Sequence, residues 1–407
     1  MRESAVQRHD RLLALVREHG TARVTDLADR LGVSPVTVRR DVETLTRKGL
    51  VDRAHGSVSW PRARPGEAAG GGAVPVIGLL APSATYYFAE VIHGAHEAAA
   101  RAGARLILRI SDYRPEEDRA RAEGLLAAGA EGLLIAPGWR GGSDAAEHGG
   151  WIAELAVPTV LLERDADPGG PLAGLDRVCS DHAHGVLLAL RHLVGLGHAA
   201  PLLMARADSP TAFAVRAGYD RALRALGLER PHPVIDAPAD RASEGFERGV
   251  QALWTAVTSG RATAALVHND VDAIQLVQRL AELGVRVPGD LALIAYDDEV
   301  AALADTPLTA VAPPKREVGR RAAELLLERL GLPGRPEGPG TGRPLGGTGS
   351  AHADEGDGAE PAPRRHVTVL PRLRVRASCG AAAAAGAAAA AAAAADGSAN
   401  TEGIAGP

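Results

Sequence analysis

The feature that most constrains the fold is a regular alternation of short apolar runs with helical stretches from Pro75 onward. The runs include VIGLLA, RLILRI, GLLIAP and PTVLLE, and the rhythm continues through PLLMA, TAALVHN and LALIAYDD. Apolar runs that alternate with helices predict parallel strands covered by helices on both faces. About ten such strands over roughly 300 residues are too many for one open sheet. We therefore predict an α/β body of two doubly wound lobes.

Composition divides the rest of the chain. Two segments are rich in Pro, Gly and Ala without periodicity, which predicts a linker and a disordered insertion that precedes a last strand. The C-terminal tail is rich in Ala and Gly, is also predicted to be disordered, and is assigned no role. The predicted units are a head at 1–60, a linker at 61–74, a body at 75–378 with an insertion at 332–363, and a tail at 379–407.

Charge is distributed unevenly between the head and the remainder. The head has 11 basic and 8 acidic residues, a net of +3, whereas the remainder has 34 basic and 42 acidic residues, a net of -8. A basic head on an acidic body favours a nucleic-acid partner for the head. The N-terminus shows no secretory signal, and no run is apolar and long enough to span a membrane. With only Cys179 and Cys379, a disulfide scaffold is excluded, and we expect a cytoplasmic protein with reduced cysteines.

The head has the pattern of a winged helix-turn-helix. A first helix is predicted by the helical spacing of Val6, Leu12, Leu15 and Val16. Thr25 is predicted to cap a second, short helix, and Gly32 makes the turn that follows it. Ser34 as N-cap and Pro35 at the first helical position then predict a third helix. After that helix, the segment 50–58 is predicted to form a β-wing around a Gly turn.

The third helix has one apolar and one basic face. Val38, Val42 and Leu45 share the face predicted to be buried, and Arg or Thr residues occupy the other. Arginine on an exposed helix face suits the major groove, where it reads guanine or holds phosphates. The alternative for these arginines is a merely solvated surface. The predicted DNA-binding residues of helix and wing are Ser34, Thr37, Arg39, Arg40, Arg47, Arg53 and His55.

The run VTDLADRLGVSPVTVRRDVETLTRKGLVDRAHG resembles the DeoR-type winged helix-turn-helix. The resemblance implies that Ser34–Lys48 is the recognition helix of a sequence-specific DNA-binding domain. Ser57 stands where that family usually has a second glycine, which affects only the tip of the wing. The residues in register with the family pattern are Ser34, Thr37, Arg39, Arg40, Asp41, Gly49, Arg53, His55 and Gly56.

Candidate ligand-binding residues of the body lie just after its strands, because doubly wound sheets bind ligands beyond the strand carboxyl ends. Tyr86, Tyr87 and Phe88 follow the first strand and are a quarter of the chain's twelve aromatic residues. Their rings suit stacking on a sugar or base, or they attach the next helix to the core.

Further candidates follow later strands. Asp112 is predicted to bind a ligand, with a helix cap as the alternative. Arg164 is also predicted to bind a ligand, and the alternative is a salt bridge with Asp165 or another surface acid. Trp139 follows the third strand and is a further candidate, with a surface loop position as the alternative. Asn269 and its neighbour Asp270 follow the TAALVH run.

The body resembles the effector domain of LacI/GalR repressors, which is similar to periplasmic sugar-binding proteins. The matching runs include VIGLLAPSATYYFAEVIHGAHEAAARAGARLIL, RAGYDRALRALGL and ATAALVHNDVDAIQLVQRLAELGVRVPGDLALIAYDDE. The resemblance implies that Arg216 clamps ligand hydroxyls or a carboxylate, and that Asp270 and Asp297 line the cleft, although each aspartate also suits a helix cap. His182 stands where the family usually has Asn, and the family's short hinge helix is replaced by the linker.

These observations predict a transcriptional regulator, a repressor that binds operator DNA as a homodimer. Between its lobes it is predicted to bind a small effector, a sugar or a similar polyol or nucleoside. The alternatives are a solute-binding protein or a sugar-processing enzyme fused to a DNA-binding head. No Walker A, GxGxxG, GxSxG, HExxH or CxxC motif is present, so we expect no enzyme activity, cofactor or metal.

Overall fold

The protein was analysed as a computed structural model. The residues that it describes are 8–9, 11–13, 15–16, 21–47, 51–54, 57–59, 74–140, 144–229, 233–332 and 363–381. The strands form three sheets, one in the head and two in the body. His55, nearly all of the linker and of the insertion, and most of the tail lie outside the described residues.

Among its described residues, the head contains a three-stranded antiparallel sheet with strand order β1-β3-β2, helical residues at 8–9, 11–13 and 15–16, and two further helices, of which the second is the predicted third helix. Its core is formed by leucine and valine side chains of the helices, joined by Val58 of the last strand. This core confirms the buried face predicted for the third helix, because Val38, Val42 and Leu45 are all at most 1% exposed. The elements are β1 (Thr21–Arg23), α1 (Val24–Leu31), α2 (Pro35–Arg47), β2 (Asp52–Ala54) and β3 (Ser57–Ser59).

The turn between α1 and α2 follows from local sequence. Gly32 ends α1 with a left-handed φ of 68°, a conformation that glycine adopts without steric cost. Ser34 begins α2 by accepting the Thr37 N–H on its Oγ at 3.2 Å. The predicted cap at Thr25 is wrong, because α1 begins at Val24 and Arg23 holds the cap position without a side-chain bond.

The body elements are given in chain order. The first stretch contains β4 (Val76–Ala81), α3 (Tyr87–Arg101), β5 (Arg105–Ile110), α4 (Pro115–Ala127), β6 (Gly132–Ile135), α5 (Asp144–His148), α6 (Gly150–Ala153), β7 (Thr159–Leu162) and β8 (Asp176–Ser180). The second contains α7 (His182–Gly195), β9 (Leu202–Ala205), α8 (Pro210–Leu226), β10 (Ile235–Asp236), α9 (Glu244–Thr258), β11 (Ala264–His268), α10 (Asp270–Glu282), β12 (Ala292–Tyr296) and β13 (Thr309–Ala312). The third contains α11 (Lys315–Arg329), β14 (His366–Val369) and β15 (Arg372–Arg374).

These elements form two lobes, as the alternation of runs predicted. The sheet of lobe 1 has the order β14-β8-β7-β6-β4-β5 and is parallel throughout. The sheet of lobe 2 has the order β10-β9-β11-β12-β13-β15, with only β15 antiparallel. The chain therefore passes between the lobes three times, after β8, after β13 and after β14.

Helix α11 returns the chain to lobe 1 and packs closely against α3. A Cβ atom built on Gly319 would lie 1.8 Å from the Val91 carbonyl oxygen, and one on Gly94 would lie 1.9 Å from that of Arg316. Only glycine permits so close an approach of two backbones. Gly94 and Gly319 together fix the position of α11 against α3 in lobe 1. The start of α11 is thereby held beside the cleft between the lobes.

Candidate functional site

The exposed face of α2 is the first part of the candidate site. Arg39 and Arg40 are both exposed there; Arg40 lies nearly opposite the buried valine and leucine stripe, and Arg39 flanks it. Ser34 and Thr37 lie at the start of the helix with their hydroxyl oxygens 2.9 Å apart, and Ser34 Oγ caps the helix by accepting the Thr37 N–H. Arg47 lies in α2 and Arg53 in β2, but their side chains are outside the described residues. DNA contact by these residues stays a prediction.

Asp41 explains how α2 is held in place. It is 6% exposed, and its carboxylate accepts bonds from Arg8 Nε at 2.6 Å and Nη2 at 3.1 Å. His9 Nε2 lies 2.9 Å from the same carboxylate. Burial alone would raise the pKa of Asp41, but the hydrogen bonds from Arg8 and His9 outweigh it and lower that pKa. The ion pair ties the start of the chain to the helix that presents Arg39 and Arg40.

The second part of the site is the cleft between the lobes, which Tyr86 bridges. Its hydroxyl, from lobe 1, donates to Asp270 Oδ1 at 2.5 Å and lies 3.4 Å from Asp297 Oδ2, both of lobe 2. Tyr86 follows β4, Asp270 follows β11 and Asp297 follows β12. The rule that placed candidates after strands thus brings these three predicted residues together.

Asp270 is fully engaged by protein groups. Its Oδ2 accepts the N–H groups of Glu299, Val300 and Ala301 at 2.8, 2.7 and 3.1 Å, while Oδ1 accepts the Tyr86 hydroxyl. It therefore fixes the loop after β12. Neighbouring Asn269 caps α10 by accepting the Asp272 N–H at 3.1 Å, the alternative weighed for residues at such positions.

Asp297 is only partly engaged. It is 2% exposed, has a positive φ of 72°, and its Oδ1 has no hydrogen-bond partner among the described residues. Burial raises the pKa of Asp297 to about 7, and the nearby charge of Lys315 opposes that shift. Lys315 itself donates to Glu299 Oε1 at 2.6 Å. Buried carboxyl oxygens normally accept a hydrogen bond, so Asp297 Oδ1 is a candidate acceptor for a ligand.

Tyr87 and Phe88 lie deeper than Tyr86. The Tyr87 hydroxyl donates to Glu163 Oε1 at 2.7 Å, and Phe88 is only 4% exposed. Glu163 also accepts the Ser180 hydroxyl and N–H at 2.8 and 2.9 Å. This geometry matches the alternative in which the two rings attach α3 to the core. A contact of either ring with an effector stays a prediction.

Arg164 is buried rather than paired with a surface acid. Its Nε and Nη2 donate to the Pro137 carbonyl at 2.9 and 2.5 Å, and its guanidinium carbon lies 5.7 Å from the centre of the Phe88 ring. The alternative pairing with Asp165 is wrong, because that carboxylate pairs with Arg177 at 2.8 Å. The alternative of a surface loop position for Trp139 is also wrong, since this side chain is 3% exposed.

Arg216 and Asp112 are the remaining residues that were predicted to bind the effector. Arg216 donates to the Arg206 carbonyl at 2.7 Å, to the Ala205 carbonyl at 2.5 Å and to Asp236 Oδ1 at 2.6 Å. These bonds join the ends of β9 and β10 and occupy much of the guanidinium. Asp112 is exposed on the turn after β5, with a φ of 53°.

Unusual backbone geometry is concentrated at the same strand ends. Among the described residues, five that are not glycine have a positive φ, and each follows the carboxyl end of a body strand. Such conformations cost about 1–3 kcal/mol each and cluster at binding sites. The five residues are Tyr86, Asp112, Tyr113, Glu163 and Asp297.

Buried polar atoms without a partner are concentrated there as well. Six occur in the described part of the chain, each on a residue at the end of a strand, in the loop after it or in the first turn of the next helix. Four of the six residues, all except Trp139 and Asp297, were missed by the sequence reasoning, although their position after strands was the available signal. The atoms are Ser111 Oγ, Asp118 Oδ1 and Trp139 Nε1 in lobe 1, and His268 Nδ1, Asp272 Oδ2 and Asp297 Oδ1 in lobe 2.

Charges of the two lobes act on one another across the cleft. Burial raises the pKa of Tyr113 in lobe 1, and the charges of Arg164 and of Arg206 in lobe 2 oppose that shift. Arg206 is itself paired with Asp208 at 2.8 and 2.6 Å. Burial lowers the pKa of His268 to about 3, so its imidazole is neutral at ordinary pH. The cleft thus offers carboxyl and imidazole groups to a ligand, while its guanidinium groups already have partners.

Two further observations concern the described residues as a group. No set of three His, Cys, Asp or Glu side chains there is arranged to hold a metal ion. None of the helices in the same ranges combines the length and the apolar character that crossing a membrane requires.

Comparison with known proteins matches both parts of the chain. The family of DeoR-like helix-turn-helix domains matches residues 8–63, and the periplasmic binding protein-like domain matches residues 190–345. The HTH-type transcriptional repressor PurR of Vibrio atlanticus is 28% identical over 326 residues, which cover 76% of this chain and 92% of that protein.

Solved structures share the fold of the body. The lac repressor dimer bound to operator and the anti-inducer ONPF has a TM-score of 0.56 at 22% identity, over 76% of this chain and 95% of that one. A LacI family transcriptional regulator from Enterococcus faecium with bound ribose has a TM-score of 0.53 at 22% identity, over 74% and 98%. The chain is therefore a transcriptional regulator that joins a DeoR-like helix-turn-helix head to a LacI/GalR-type, periplasmic-binding-protein-like effector domain.

Proposed function

We propose that this regulator is a repressor whose interlobe cleft binds a neutral, hydroxyl-rich effector, a sugar or related polyol. The observation that carries the proposal is the set of six buried polar atoms without partners at the strand ends. Three of them are carboxyl oxygens. Those on Asp272 and Asp297 need donors such as ligand hydroxyl groups, whereas the Asp118 carboxylate has the neighbouring Ser111 hydroxyl as a donor. The buried Trp139 indole N–H would donate to a ligand oxygen.

The charges of the cleft favour a neutral ligand over a phosphorylated one. The donors of Arg164 go to backbone carbonyls, while those of Arg206 and Lys315 go to Asp208 and Glu299. Each of these cations already has a partner for which a phosphate would have to compete, and a phosphate would also face buried carboxyl groups. The bound ribose of the Enterococcus faecium neighbour agrees with this ligand class.

A screen of neutral sugars, their phosphates and nucleobases by thermal shift on the full chain tests the ligand class. A neutral sugar is expected to stabilise the protein by about 2.7 kcal/mol at a hundredfold excess over Kd. Asp297→Asn should abolish that ligand-induced shift, and Glu154→Gln, which changes an exposed carboxylate of lobe 1, should retain it. Stabilisation by a sugar phosphate or a nucleobase instead would contradict the proposal.

We also propose that the protein acts in the cytoplasm as a homodimer on operator DNA, with residues 1–60 as the head and 75–378 as the sensor. One short recognition helix contacts few phosphates, and two-fold symmetry doubles those contacts on a palindromic site. The operator-bound lac repressor dimer agrees with this arrangement. Closure of the lobes by the effector would change the placement of the two heads, provided that the effector binds the two arrangements with different affinity.

Arg40→Ala in the full chain tests the DNA-binding surface. It is expected to lower the affinity for a duplex selected by the wild-type protein by about 10- to 100-fold, the range for one direct base contact. Arg101→Ala, at the exposed end of α3 in the body, is the matched control. Equal affinity and equal salt dependence of wild type and Arg40→Ala would count against the assigned helix.

A further inference from the structure

The most exposed large apolar side chain among the described residues of the head lies where a basic surface is expected to meet DNA. Val36, the second residue of α2, is 70% exposed, and among the large exposed apolar residues of the described chain only Leu303 exceeds it. Neighbouring Val38 of the same helix is fully buried. Core packing therefore accounts for Val38 and leaves Val36 without a structural role.

The helical period places Val36 beside the two arginines. At about 100° per residue, Arg39 lies roughly 60° and Arg40 roughly 40° around the helix from Val36. All three are exposed, and the buried stripe lies on the opposite face. Val36 is thus an apolar spot on the basic face of α2, within the first helical turn, the part of a recognition helix that reaches base edges.

The neighbouring polar groups of this turn are committed to the helix. The Ser34 and Thr37 hydroxyls lie 2.9 Å apart, and Ser34 Oγ also accepts the Thr37 N–H. Val36 has no hydrogen-bonding atoms in its side chain. The apolar group that the major groove presents is the 5-methyl group of thymine, and small apolar side chains contact it directly.

We infer that Val36 is a specificity-determining residue that recognises thymine through its 5-methyl group. The inference rests on the proposed DNA binding by α2 and assigns a preferred base to one position of each half-site. Arg39 and Arg40 supply electrostatic attraction and hydrogen bonds on either side of this apolar contact. The partner is double-stranded DNA, because the contact requires the floor of a major groove.

Uracil substitution tests the inference, since uracil differs from thymine only by the missing methyl group. The full-length protein first selects its site from a random duplex library. Each thymine of that site is then replaced by uracil, and the affinity is measured. For wild type, we expect one thymine per half-site at which uracil lowers the affinity about fourfold, the effect of removing one apolar methyl contact.

The variant Val36→Ala separates this contact from other causes. It should bind the thymine and uracil duplexes with equal affinity, whereas Arg39→Ala, the control on the same face, should bind more weakly but keep the fourfold difference. A uracil penalty that persists in Val36→Ala, or a selected site with no uracil-sensitive thymine, would overturn the inference and leave DNA binding intact. Failure of the full chain to select any duplex sequence would overturn the proposed function itself.

Discussion

The head and the body each bury an aspartate, and the two carboxyl groups have opposite surroundings. Asp41 of the head receives bonds from Arg8 and His9, and its pKa is lowered although burial acts in the other direction. Asp297 of the body keeps one oxygen without a partner, and burial raises its pKa to about 7. The difference separates a carboxylate that holds structure together from one that is available to a ligand.

The largest expected effect concerns the structural member of this pair. Asp41→Asn should destabilise the head by about 3 kcal/mol, because it leaves Arg8 partly buried without its anion. Amide hydrogen exchange of α2 measures the loss, and DNA affinity should fall with it. Asp29→Asn, at an exposed site on α1, is the control and should change neither. Unchanged exchange in Asp41→Asn would remove the contrast between the two aspartates.

A smaller effect of opposite sign is expected from Asp297→Asn at high pH. The pKa of Asp297 is about 7 in the folded chain and about 3.9 when unfolded, so wild type loses stability as the pH rises from about 4 to about 7. The asparagine variant lacks this loss, so its stability relative to wild type should rise by about 2.5 kcal/mol between pH 5 and pH 8. Urea unfolding at pH 5 and pH 8 measures the difference.

Wild type and Asp297→Asn both contain His268, so the contribution of His268 to the pH dependence cancels when their stabilities are compared. His268 acts in the other direction, since its lowered pKa costs stability as the pH falls from about 6.5 towards about 3. Asp41 contributes a constant amount between pH 5 and pH 8, because its pKa is lowered and its contribution is lost only in more acidic solution. A stability difference independent of pH would contradict the raised pKa of Asp297.

The smallest expected effect concerns the connection between the lobes. Tyr86→Phe removes the hydroxyl that joins lobe 1 to Asp270 and Asp297, at a cost of about 1 kcal/mol. Small-angle X-ray scattering of the ligand-free chain should then show a larger radius of gyration. Tyr87→Phe is the matched control, because it loses a bond to Glu163 within lobe 1 and should not open the lobes. An equal radius of gyration in wild type and both variants would count against the prediction that the Tyr86 hydroxyl holds the lobes together.

The head was largely predictable because its signals are local. Gly32, Ser34 and Pro35 lie within four residues, and each acts on its own backbone or that of its near neighbours. The error at Thr25 is a shift of the helix start to Val24, a boundary that neighbouring propensities do not fix. Asp41 was recognised only as part of a family pattern, because its partners Arg8 and His9 lie more than thirty positions away.

The position of the cleft was predictable from the sequence, but the hydrogen-bond partners of its residues were not. The rule that ligands bind beyond strand ends found Tyr86, Asp270 and Asp297, which the structure brings together. It also selected Arg164 and Arg216, whose donors turn out to be used by backbone carbonyls. A sequence gives the residue types after each strand, but not which of their polar atoms find partners in the folded chain.

The sequence by itself determined the order of elements, the two-lobed body and the basic face of α2, because these follow from periodicity, caps and charge along the chain. Only the tertiary structure decided that Asp270 is saturated while Asp297 keeps one oxygen without a partner. The physical reason is that hydrogen-bond satisfaction and desolvation depend on groups from distant segments, which meet only when the three crossings bring the lobes together.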